Sequence, residues 1–430
     1  LALTIVRVTS GGIPVTESAT GFPYYEADNG FGIPVTFGST GIPLGRAGTS
    51  GPSLYLGQVA TRTFIPNTFN GTNKQIMSRT FHYARDAITS LQLVIPNFYF
   101  NLLASPGSTE AGPGSGTSIT ASIEYPAATF TQVKFSGSAT GSPADNSLLV
   151  SDAVSIAIPN GAQFFVRTWF SNANGIMFGL YSSSNGLSTG DGTVFGVTTP
   201  DLTMSGSITQ ATNVVGVAPC AIIAQTRKAS VYLLGDSRVF GLRDTGDSSG
   251  DLGELARSLG PTLAYINGGC PGDRSVDFTT GTHGANRRAL MAYTSHMISN
   301  FGINDVTAGN SPASVLSAYQ TITGYHPGPK YICTIAPQTT GAWTLANGSD
   351  QTVTANEANR VSLNTSIRSG VANFAGFFEI ANQVEATQNG GKWKADGTVG
   401  KYTADGAHET QFANLGIVSS GAINPALFTR

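Results

Sequence analysis

Residues 231–241 read VYLLGDSRVFG. Val231 to Leu234 are apolar, a short run of the kind a buried strand requires. Gly235, Asp236, Ser237 and Arg238 follow at once. A strand that ends in a core and passes directly to an acid and a hydroxyl has two readings. One is a plain turn, with Ser237 as a turn or helix N-cap residue. The other is a nucleophile held up at the edge of a sheet. The rest of the chain decides between them.

Downstream, strand and helix patterns alternate. LGELARSLG (252–260) reads as a short helix ended by Gly260 and Pro261, and TLAYIN (262–267) as a second strand. NRRALMAYT (286–294) reads as helix and SHMISNFG (295–302) as strand. SPASVLSAYQTITG (311–324) is a helix with Ser311 as its N-cap and Gly324 near its end. KYICTIAP (330–337) is a strand and ANEANRVSLNTSIRSG (355–370) a helix. FAGFFEIA (374–381) is a strand, and HETQFANLGIVSSGAI (408–423) a closing helix. Such alternation predicts an α/β sandwich on a mostly parallel sheet over 226–430, with sites at the C-terminal ends of the strands.

Upstream, residues 51–225 read as all-β, a sandwich or jelly roll. LQLVIPNFYFNLL (91–103), TSITASIEY (117–125), ATFTQVKFSG (128–137) and GIMFGLYSS (175–183) are short runs rich in β-branched and aromatic residues. Residues 148–170 read as two strands around Pro159-Asn160-Gly161. Phe164, Phe165, Trp169 and Phe170 are either sandwich core or a sugar-stacking platform, core being the commoner fate of such residues. Residues 1–50 carry GGIPVT (11–16), GIPVT (32–36) and GIPLG (41–45), near-copies at irregular spacing. Proline fixes φ and keeps its predecessor out of the helical region, so this segment is extended. It is either a Gly/Pro-rich linker or an arm that docks by strand addition on a partner or a neighbouring copy. Its Gly-Ile-Pro-Val strings resemble N-terminal segments of bacteriophage tail and other virion proteins, which implies a virion partner or a homo-oligomer through residues 1–50.

Composition narrows the function. The 430 residues are natural for two or three domains. Charged residues are only 11% and the formal charge is −2, with no Lys/Arg cluster, so no nucleic-acid partner is expected. The three cysteines, Cys220, Cys270 and Cys333, are odd in number and widely spaced, and read as buried thiols. No apolar run reaches membrane-spanning length. Leu1 to Val6 lack the basic flank of a signal peptide, and the chain begins without Met, which leaves a removed export signal open. No His has a metal partner at useful spacing, so neither metal nor cofactor is expected.

Four patterns fall where the α/β reading puts a site: Gly235-Asp236-Ser237, the glycine-rich turn NGGCPGDRS (267–275) with Gly272, GIND with Asn304, and DGAH with Asp405 and His408. Each is weak alone in a chain rich in Gly, Ser and Asp. Ser237 could be a cap, His408 the first residue of a helix with Asp405 capping it, and Asn304-Asp305 an Asx turn. All four in this order resemble the SGNH, or GDSL-type, hydrolase family of esterases and lipases, over roughly half the chain from Val231 onward. The resemblance implies Ser237 as nucleophile, His408 as base and Asp405 as its acid partner. It also implies an oxyanion hole built from the Ser237 and Gly272 N–H groups and the Asn304 amide. Arg238 (where the longer motif has an aliphatic residue), Arg274 (where Thr is common) and Glu409 (where Pro is frequent) depart from the pattern.

The residue types suit acyl transfer. A serine hydroxyl needs a base to take its proton, and imidazole serves near neutral pH. A carboxylate holds the other ring nitrogen, and N–H donors stabilise the oxyanion. The expectation is hydrolysis of a carboxylic ester through an acyl-serine. With no strongly apolar lid segment and a low-charge, Ser/Thr/Gly-rich chain, O-deacetylation of a polysaccharide outside the cell or on a virion is the first choice. A non-catalytic glycan-binding or structural virion protein, and a general secreted esterase or lipase, are the alternatives.

Overall fold

The computed structural model describes residues 52–103, 107–180, 190–208 and 214–430, with four three-residue strands before them. Leu1–Ser53 and Leu54–Arg430 are two separate units. In the first, Val15–Glu17 pairs antiparallel with Pro23–Tyr25, and Val35–Phe37 with Pro43–Gly45. Val35 stands 20 positions after Val15, and Pro43 stands 20 after Pro23. The irregular Gly-Ile-Pro strings therefore belong to a regular pair of hairpins. Two strings lead into first strands, and the third enters a second strand. The rest of the predicted arm lies outside the described residues.

The second unit is mixed α/β. Its first half is built from antiparallel sheets. One runs in the order Phe130–Val133, Ser118–Glu124, Gln163–Ser171, Gln75–Tyr83, Gly192–Gly196. Another runs Ser147–Val150, Ile88–Asn97, Ala221–Thr226, Tyr55–Gln58, with Val154–Ile158 also on Ile88–Asn97. Period-two alternation sets their faces. Leu91, Leu93 and Ile95 point into a core shared with Ile119, Ile123, Phe164, Val166 and Phe170 of the other sheet. Phe164 and Phe170 are thus core. Phe165 lies on the opposite face beneath the Arg79 guanidinium, and Trp169 Nε1 donates to the Thr199 carbonyl at 2.9 Å.

The second half contains a five-stranded, all-parallel sheet in the order Ala264–Asn267, Ser230–Gly235, His296–Asn300, Lys330–Cys333, Gly376–Phe378. Both faces are buried. Tyr232 and Leu234 pack with Val315, Tyr319, Leu363 and Ile367 of the helices Pro312–Thr323 and Glu357–Ser369. Val231 and Leu233 pack with Leu255, Leu259 and Ile417 of Gly253–Leu259 and Gln411–Ser420. That two-sided burial is why the strand VYLL is uniformly apolar.

The two halves share a core. Val94 and Ile223, on the outer face of the second antiparallel sheet, join the cluster of Tyr232 and Ile266. Segment 60–63 also covers the edge strand Ala264–Asn267. Tyr265 N donates to the Ala60 carbonyl at 3.3 Å, and Thr63 forms a parallel bridge to Ile266. An edge that would otherwise expose unpaired N–H and C=O groups is closed from within the chain.

Candidate active site

The strand Ser230–Gly235 ends at a glycine because nothing larger fits. A Cβ at Gly235 would lie 2.4 Å from Val239 Cγ2 and 3.1 Å from the Asn300 carbonyl. The chain then turns into the short helix Ser237–Phe240. Asp236, not Ser237, is its N-cap and accepts from Arg238 N at 3.0 Å. Ser237 is the first helical residue, 6% exposed, with its hydroxyl free to face another loop.

That loop carries the DGAH sequence. His408 Nε2 is 2.8 Å from Ser237 Oγ, and His408 Nδ1 is 2.9 Å from Asp405 Oδ2. The three-residue spacing has a local cause. Asp405 Oδ1 accepts from the N–H groups of Ala407 and His408, both at 2.9 Å, which curls the chain until the imidazole meets the other carboxylate oxygen. Gly406 completes the turn at φ +74°, where a Cβ would lie 1.9 Å from the Thr339 carbonyl. The final helix starts at Gln411, capped by Thr410, so His408 precedes it rather than opening it as the sequence had predicted. Burial pushes the Asp405 carboxyl up, but the His408 hydrogen bond, the imidazole charge and the two backbone donors outweigh it, leaving the group well below the ordinary carboxylate range. Arg243 Nε adds a contact at 3.1 Å to Asp405 Oδ2.

The remaining predicted residues lie on neighbouring loops. Gly272 has φ +85°, in the turn after Ala264–Asn267. That turn packs on the serine helix: Cys270 N donates to the Gly235 carbonyl at 3.0 Å, and Asn267 Nδ2 to that of Val239 at 2.9 Å. Asn304, in the helix Ile303–Thr307, gives one amide hydrogen to the Asp273 carbonyl at 3.0 Å. Its second hydrogen, and the N–H groups of Ser237 and Gly272, have no partner among the described residues. Asp305 steadies the same loop by accepting from Ser275 N at 2.9 Å and Val276 N at 3.2 Å.

Two residues flagged only as departures turn out to be linked. Arg238 is buried, and its guanidinium donates to the carbonyls of Ala407 (2.9 Å), Ala336 (3.1 Å) and Pro337 (2.8 Å). It thereby fastens the serine turn to the loop of His408. Its counter-charge is Glu409, also buried, at 3.7 Å. One departure supplies the charge and the other balances it. Asp236 and Glu254 lie in the same buried patch. Burial pushes the Asp236 carboxyl up to about 7 against the pull of Arg238. Burial and the neighbouring Glu409 push Glu254 well above the ordinary carboxylate range. Glu254 Oε2 and Glu409 Oε1 are buried and unpartnered, and a proton retained on Glu254 converts one acceptor into a donor.

The other histidines stand apart from this chain. His82 is fully buried between the Thr61 carbonyl and Thr80 Oγ1, and burial lowers it to about 3. His326 bonds Gly328 N and Thr294, and burial lowers it to about 4. His296 packs edge-on to Phe428, and burial lowers it too. His283 offers its carbonyl to Glu110 N at 3.1 Å. All three thiols are buried, and burial pushes Cys270 up to about 12. Among the described residues, no group of His, Cys, Asp and Glu side chains is arranged to hold a metal, and no helix is long and apolar enough to cross a membrane.

No protein-family model matches the chain, and no curated protein matches it. Among solved structures, a carbohydrate acetylesterase family member from Sinorhizobium meliloti is 14% identical, with a TM-score of 0.32 over 46% of this chain and 97% of its own. The M. smegmatis aryl esterase is 18% identical, with a TM-score of 0.33 over 46% of this chain and 99% of its own. A peptidoglycan O-acetylesterase is 10% identical, with a TM-score of 0.36 over 86% of this chain and 80% of its own. Likenesses this low define neither fold nor activity, and the functional reading rests on the site itself.

Proposed function

We propose that this chain is a serine esterase that cleaves carboxylic esters through an acyl-serine intermediate. The observation that carries the reading is the hydrogen-bonded chain from Ser237 Oγ through His408 to Asp405, at 2.8 and 2.9 Å. In the first step His408 Nε2 takes the Ser237 proton as Oγ attacks the ester carbonyl. Asp405 fixes the ring so that Nδ1–H points at the carboxylate, and it stabilises the imidazolium that forms. The oxyanion is received by the N–H groups of Ser237 and Gly272 and by the second Asn304 amide hydrogen. His408 then protonates the departing alcohol. A water molecule, deprotonated by the same imidazole, releases the acid and restores Ser237.

The substrate we propose is an O-acetylated polysaccharide. A low-charge chain with abundant Gly, Ser and Thr, fused to an antiparallel β module, supports a glycan-facing role, and the Gly-Ile-Pro strings of residues 11–45 support a virion setting. The test compares wild type with Ser237→Ala on p-nitrophenyl acetate and on a panel of acetylated polysaccharides, reading acetate release. Release by wild type and loss of several powers of ten in the variant are expected. Equal rates in both proteins would remove the enzyme reading. Turnover of the aryl ester with none of any polysaccharide would confine the chain to small esters.

A further inference from the structure

A hairpin of the antiparallel half reaches the loop of Gly272. Its strands, Tyr99–Asn101 and Thr109–Ala111, pair with Phe100 opposite Glu110. Just past the first strand, Leu102 is 59% exposed. Its side chain nevertheless lies directly over Gly272: a Cβ built there would be 2.7 Å from Leu102 Cδ1 and 2.9 Å from Cδ2. A large apolar side chain left in solvent adds little to folding. This one stands beside an unspent N–H group of the proposed oxyanion hole.

The strands of the hairpin are anchored at that place. Phe100 is buried, and its N–H donates to the Pro66 carbonyl at 2.7 Å. Glu110 is buried and accepts from Arg287 Nε at 3.0 Å. Arg287, fully buried, passes on to Asp273 Oδ2 at 2.6 Å through NH1. Asp273 directly follows Gly272. On the other strand side, Ser108 N donates to Asp277 Oδ2 at 3.1 Å, and Arg274 Nε reaches the same oxygen at 2.7 Å. The hairpin and the Gly272 loop are therefore tied together, and Leu102 follows directly on the paired strand.

We propose that Leu102 is the wall of the acyl subsite, a specificity-determining residue supplied to the site by the antiparallel half. The inference rests on the esterase reading above. The choice of acyl over alcohol follows from the geometry of the tetrahedral intermediate. The leaving oxygen must face His408 to be protonated, and the oxyanion must face Gly272 and Asn304. The acyl substituent is the group left to pass beside the Gly272 loop, where Leu102 would limit its length to a short chain such as acetyl.

The test measures kcat/KM for wild type, Leu102→Ala and Leu102→Trp on p-nitrophenyl acetate, butyrate and hexanoate. A second series holds the acyl group as acetyl and varies the alcohol. Thermal midpoints of all three proteins serve as the folding control. One methylene in an apolar pocket is worth about 10- to 200-fold. Leu102→Ala should therefore raise the butyrate-to-acetate ratio by roughly tenfold or more, and Leu102→Trp should lower it. Ratios unchanged in both variants, or changed only across the alcohol series, would overturn the acyl wall while leaving the esterase intact. A wild-type protein inert on every ester would overturn the esterase reading and the wall with it.

Discussion

At the scale of single residues, the proposed chemistry depends on how Asp405 divides its two oxygens. One fixes the turn through the N–H groups of Ala407 and His408, and the other holds the imidazole. Asp405→Asn should keep the turn but present an amide that favours the wrong ring tautomer. A kcat loss on the order of 10⁴ is expected, with little change in thermal midpoint. Unaltered kcat in the aryl-ester assay would contradict it. These residues were marked in the sequence by the order of four short motifs, each weak alone, and not by residue type and local spacing. Arg238 was legible only as an anomaly, since its partners are carbonyls of residues 336, 337 and 407, which no local pattern reveals. Arg238→Met leaves Glu409 buried without its counter-charge and should cost about 3–5 kcal/mol. Adding Glu409→Gln should recover part of that loss. Urea denaturation of both single variants and the double variant measures the coupling, and strict additivity would show the pair to be independent.

At the scale of elements, every proposed group sits in the loop or short helix that follows a parallel strand, or just before the last helix. Gly272 lies in the turn after Ala264–Asn267. Its φ of +85° strains any side chain, and an added Cβ would also displace the exposed Leu102 side chain. Gly272→Ala should cost about 1–3 kcal/mol of strain and lower kcat as the loop shifts. A variant of unchanged stability and rate would mean that the loop has slack the contacts do not show. Strand and helix alternation after residue 226 was legible because apolar runs and caps are local signals. The boundary errors also have physical causes. Residues 148–158 read as one strand because no Gly or Pro divides them, yet they form Ser147–Val150 and Val154–Ile158. Ser151 interrupts them: its N–H still donates to the Leu93 carbonyl at 2.9 Å, but Leu93 N donates to the Ser151 hydroxyl, also at 2.9 Å, and not to its carbonyl. The last helix was placed three residues early because Asp405 captures the N–H of His408 before a helix can begin.

At the scale of the whole molecule, the antiparallel and α/β halves of residues 54–430 are one structure. Val94 and Ile223 pack with Tyr232 and Ile266, and segment 60–63 closes the edge of the parallel sheet. The composition shift near residue 226 was visible, but a shared core between halves is a long-range fact that no sequence period carries. Residues 226–430 expressed alone should lack a cooperative thermal transition, because that face and edge would be exposed. A sharp transition near that of the full chain would refute the dependence. Stability should also vary with pH through the buried acids. Glu254 and Asp236 have native pKa values raised above their unfolded ones. Their contribution is greatest below the unfolded-state values of about 4 and is lost as pH rises through the native values. Glu254→Gln should therefore flatten the fall in denaturation midpoint between pH 5 and pH 9, and an identical slope would argue that Glu254 ionises freely. Asp405, held low, acts in the opposite direction and only in acid. The central claim, that His408 activates the Ser237 hydroxyl for attack, is tested most directly by covalent labelling with a fluorophosphonate. Intact mass and peptide mapping should find one adduct, on Ser237, abolished by Ser237→Ala and strongly slowed by His408→Ala. No adduct, or an adduct on another residue, would contradict it.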